Sequence, residues 1–191
     1  MENPTSASND NFHNFLCYDN LPGIVIPQKV YLDQELHQEP KDVRTFLTFY
    51  AHETLGVVVS AQPGATMGVS LAKILAFYSK DLKATWYFHD PYLAPLQGLG
   101  LKCVLKWPGC FDYVPFYTKR GAQSLWTAAN LAYEIAGAVR HFYERFEDYV
   151  DRRNPAPDWT PDRIPLDKLY LLELRQVNDR VYQPVLYYDA D

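Results

Sequence analysis

Residues 56–90, GVVVSAQPGATMGVSLAKILAFYSKDLKATWYFHD, constrain the fold more than any other stretch of this chain. Val57, Val58 and Val59 form an uninterrupted β-branched run, the mark of a short strand buried on both faces. Pro63-Gly64 and Gly68 then punctuate the chain. Val69, Ala72, Ile74, Leu75, Phe77 and Tyr78 follow at helical spacing, and residues 84–88 (ATWYF) read as a strand again. Strand, turn, helix and strand at this spacing predict a parallel, right-handed crossover.

The remaining periodicities place further elements around that unit. Residues 23–32 resemble a strand, but Pro27 confines it to an edge or divides it in two. Val43, Phe46, Leu47, Tyr50 and Thr54 lie at helical spacing, so 41–55 is expected to be an amphipathic helix, with Gly56 as its stop. LKCVLKW and CFDYVPFY flank Pro108-Gly109 and predict a hairpin, with Lys102, Val104 and Lys106 on a partly wet face.

The longest predicted helix covers 121–150, with Leu125, Ala129, Ala132, Ala136, Val139, Tyr143, Phe146 and Val150 along one stripe. Its alanine-rich middle is expected to pack on the protein's own sheet, a dimer seam being the second reading. Residues 154–165, with four prolines, are expected to be irregular and pinned by Trp159. Residues 168–189 predict a second hairpin turning at Asn178-Asp179, with Pro184 implying an edge position for its last strand.

The fold class expected is therefore mixed α/β, with α+β as the other arrangement of the same elements. It comprises one globular domain over 12–191 behind a flexible polar tail over 1–11. With 191 residues, such a domain buries a core without needing disulfides or metals. Only Cys17, Cys103 and Cys110 are present, an odd number without a framework, which favours free thiols in a reducing compartment. No zinc-ligand spacing occurs, and His13, His37, His52 and His141 are isolated from one another, so no metal and no cofactor are expected. A net charge of −5 excludes a general affinity for nucleic acid or anionic membrane. With no leader-like start and no membrane-length apolar run, a cytoplasmic location is expected.

Two places bear on chemistry. Pro63-Gly64-Ala65-Thr66-Met67-Gly68-Val69-Ser70 parallels a phosphate-binding loop, but proline replaces its first glycine and Val69 its lysine. Nucleotide hydrolysis is therefore discounted, and Gln62, Gly64, Thr66 and Gly68 are kept as ligand-binding candidates through backbone amides at a helix start. If the two strands are parallel, Ser60 shares a sheet edge with His89 and Asp90, a set suited to nucleophilic or general-base catalysis. A plain turn accounts equally for the His-Asp-Pro sequence. The aromatic runs 86–88 and 111–117 read as core packing, the RNA-binding glycine–aromatic motif being absent.

Aromatic residues make up 15% of the chain, with 15 Tyr and 14 Pro, and this favours interaction surfaces over a complete catalytic motif. The functional expectation is a non-enzymatic protein-binding or regulatory protein of accessory, immunity or viral type. It would act through an aromatic and proline-rich surface or an edge strand, on a protein partner or as a homo-oligomer. The competing reading is a small α/β hydrolase or transferase taking a phosphate-bearing ligand at the 60–68 turn.

Overall fold

The structure, a computed structural model, describes residues 23–31, 43–52, 56–78, 101–111, 114–118, 127–178 and 181–190. The first described strands are β1 (Ile24–Val25), β2 (Arg44–Thr48), β3 (Tyr50–His52), β4 (Gly56–Val58), β5 (Ala65–Met67) and β6 (Val69–Ser70). Helix α1 (Leu71–Tyr78) follows, then β7 (Leu101–Leu105) and β8 (Val114–Thr118). Helices α2 (Ala128–Glu144) and α3 (Phe146–Tyr149) precede β9 (Leu169–Asn178) and β10 (Val181–Tyr188). Together they make a mixed α+β domain with two sheets.

Both predicted hairpins form. β7 and β8 pair antiparallel about Pro108-Gly109, and β9 and β10 pair antiparallel as the longest ladder of the molecule. The main sheet runs β2-β9-β10-β7-β8, with β1 on β10 and β6 on β9. Alternation along β10 divides its side chains between two environments. Tyr182 and Leu186 enter the cluster that contains α2, while Val185 and Tyr187 enter a second cluster with Leu172 on the opposite face.

Three expectations are corrected by this topology. The stretch predicted as a helix over 41–55 contains β2 and β3 instead, with 41–42 and 53–55 outside the described residues. Its spacing satisfies a helix, but Thr45, Phe46, Thr48, Phe49 and Tyr50 are strand formers, and pairing of β2 with β9 decides between the two. Gly56, expected as a helix stop, begins β4 with φ 74°.

Val57-Val58 does lie in a buried strand, but that strand pairs antiparallel with β3 in a separate sheet of order β4-β3-β5. β5 and β6 stand between the Pro63-Gly64 turn and α1, so the turn is not the start of the helix. The partner strand expected at 84–88 lies outside the described residues.

The third correction concerns β10, which sits inside the sheet rather than at its edge, Pro184 notwithstanding. The ladder tolerates this proline because β7 reaches only Val181 and Tyr182, and β1 only Tyr187 and Tyr188. Between them, the Ile26 amide still donates to the Leu186 carbonyl at 2.9 Å, while residues 28–31 meet β10 through glutamine side chains. Gln28 Nε2 donates to the Pro184 carbonyl at 2.7 Å, Gln183 Oε1 accepts from the Tyr31 amide at 2.7 Å, and Gln183 Nε2 donates to the Lys29 carbonyl at 3.0 Å. A missing N–H therefore falls where no backbone ladder runs.

Helix α2 starts later and stops earlier than 121–150, residues 121–126 lying outside the described set. Thr127 caps it, its hydroxyl accepting from the Asn130 amide at 3.1 Å. Arg145, with φ −123° and ψ 24°, breaks the helix before α3. The alanines Ala128, Ala129, Ala132 and Ala136 are buried with Leu131, Ile135, Val139 and Phe142 against Leu101, Leu105, Leu171 and Leu186. The alanine face is thus spent on the protein's own core, and the dimer-seam reading of it is withdrawn. Val104, expected on a wet face, is buried with Tyr31, Val177 and Val181. Among the described residues no helix is long and apolar enough to cross a membrane.

Candidate functional site

The 60–68 turn is built for its own geometry. The Ala65 amide donates to the Gln62 carbonyl at 3.0 Å, Pro63 takes the second position, and Gly64 has φ 81°, together a type II turn. His52, expected on a helix, lies on β3 instead, and its Nε2 is 3.5 Å from where a Gly64 Cβ would stand. Ser60, Gly64 and Thr66 are exposed and Gln62 is half-buried.

Gly68 is different. It is buried with φ 89°, and a Cβ there would meet Tyr187 Cε1 at 2.7 Å and Leu172 Cδ2 at 3.1 Å. Its amide donates to the Phe49 carbonyl at 2.9 Å. Packing and backbone conformation therefore account for this glycine.

At the start of α1, the Ser70 hydroxyl accepts from the Lys73 amide at 3.4 Å, so that amide is already engaged. His89 and Asp90 lie outside the described residues. Within the described set, Ser60, Gln62, Gly64 and Thr66 are brought onto one connection between β4 and β5, without an added charged group from these candidates.

Neither described cysteine supplies a nucleophile in the neutral range. Burial pushes the Cys103 and Cys110 thiols up to about 12, and the thiol rather than the reactive thiolate dominates well above neutrality. Among the described residues, no three His, Cys, Asp or Glu side chains are grouped as a metal site.

A second region combines exposure with shape. The Pro108-Gly109 turn is fastened to the end of α3 and to the proline-rich segment behind it. The Phe111 amide donates to the Tyr149 carbonyl at 2.9 Å, and the Asp151 amide to the Gly109 carbonyl at 2.8 Å. Gly109 has φ 72°, and a Cβ would lie 2.6 Å from the Ala156 nitrogen, so only glycine permits this approach.

Aromatic residues lock the other side. Trp107 Nε1 donates to the Trp159 carbonyl at 2.6 Å, and Tyr143 Oη to the Ile164 carbonyl at 2.9 Å. Trp159 thus pins the 154–165 segment as its composition predicts, while Pro155, Pro157 and Pro165 stay exposed.

Where these pieces converge lies a depression of about 740 Å³, lined by Phe111 and Val150 together with charged residues of 147–153. Phe111, expected in the core, is 56% exposed. Arg145 Nη2 holds Asp148 Oδ2 at 2.8 Å, and Asp151 Oδ1 accepts from the Arg153 amide at 2.9 Å. Glu147, Arg152 and Arg153 make no ion pair among the described residues. The depression thus sets an exposed aromatic ring within a polar, mixed-charge rim.

Sequence reading also misses a buried polar pair on β9. Arg175 Nε donates to Glu173 Oε2 at 2.9 Å, with both side chains fully buried, and Thr45 Oγ1 lies 3.3 Å from the same oxygen. Glu173 Oε1 is buried without a hydrogen-bond partner. The signal was the i, i+2 spacing of opposite charges within a strand, which puts both on one face.

No family model, no curated protein and no solved structure matches this chain. The fold and its surfaces define a mixed α+β domain with a polar-rimmed aromatic depression.

Proposed function

We propose that this is a non-enzymatic protein-binding protein of regulatory type, and that its contact surface is the depression around Phe111 and the exposed prolines beside it. One observation carries the reading: a phenylalanine 56% exposed sits in a concavity on a rigidly fastened turn, although the neighbouring rings are spent on the core. Trp107 packs on Phe142 and Tyr143 at 5.5 and 5.6 Å between centroids, so an aromatic network already consolidates this end of α2. The Phe111 ring is free for a partner, and aromatic anchors in such settings dominate binding energy.

The test is a photo-crosslinking amino acid placed at position 111, with Lys73, exposed on α1, as the control position. The expected result is a discrete polypeptide adduct from position 111 in cells of the source organism and none from position 73. No adduct from 111, or the same adducts from both positions, overturns the reading.

A further inference from the structure

We draw no further inference here: the strongest candidate, the fully buried Glu173–Arg175 pair on β9 with Glu173 Oε1 left without a hydrogen-bond partner, carries nothing because nothing in the structure shows what would meet that oxygen.

Discussion

The turn at 62–65 and the depression at Phe111 are both exposed, both hold a glycine with positive φ close by, and both stand beside a sheet. They differ in what their distinctive residues are used for. At the turn, Pro63 and Gly64 satisfy a type II geometry, and Gly68 makes room for Tyr187 and Leu172. The fold consumes the glycine motif. At the depression, Gly109 makes room for Ala156, but Phe111 is left 56% in solvent and joins none of the buried clusters among the described residues. A glycine motif is thus weak evidence of a ligand where the backbone explains it, whereas an exposed aromatic in a concavity is left over after the fold has been accounted for.

The largest expected effect lies on the turn side of this comparison. Gly68→Ala forces a non-glycine residue to φ 89° and drives a methyl into the Tyr187 ring. It should cost about 3 kcal/mol or more in urea unfolding, whereas Gly64→Ala, strained but in open contact, should cost about 1 kcal/mol. Equal costs at the two glycines would break the assignment of Gly68 to packing.

A pH profile sharpens the same point through the ring that Gly68 accommodates. Burial, then repulsion from Tyr170 and Asp189, pushes the Tyr187 phenol up to about 12. The folded state therefore keeps a proton that the unfolded chain releases near pH 10, so this contribution is full below about pH 10 and is lost as pH rises towards 12. Tyr187→Phe should flatten the fall in unfolding midpoint between pH 10 and 12. An unchanged slope would place Tyr187 outside the close packing described.

Much of the fold is legible where partners are close in sequence. The 101–118 hairpin follows from alternation around Pro108-Gly109, and α2 from its apolar stripe, though not its start at Thr127. What escapes is set by distant contacts. Gln28 and Pro184, 156 positions apart, join through a side chain that does the work of a ladder bond, and no local pattern announces it. Residues 44–52 carry helical spacing and strand-forming types together, so their partners decide, β9 for β2 and β4 and β5 for β3.

The candidate site escapes for a related reason. Phe111 lies in an aromatic run that reads as core packing, and its exposure comes from the turn being tied to α3 and to residues 151–156. The Glu173–Arg175 pair shows the converse: charges that composition assigns to the surface are fully buried, paired side by side on one face of β9.

The most direct test of the difference between the two regions is the urea unfolding free energy of Phe111→Ser. If the ring has no task in the fold, the variant should unfold within about 0.5 kcal/mol of wild type, as for a surface substitution. A loss of about 2 kcal/mol or more, the cost of removing a core side chain, would show that Phe111 serves the fold and would contradict its assignment to a contact surface.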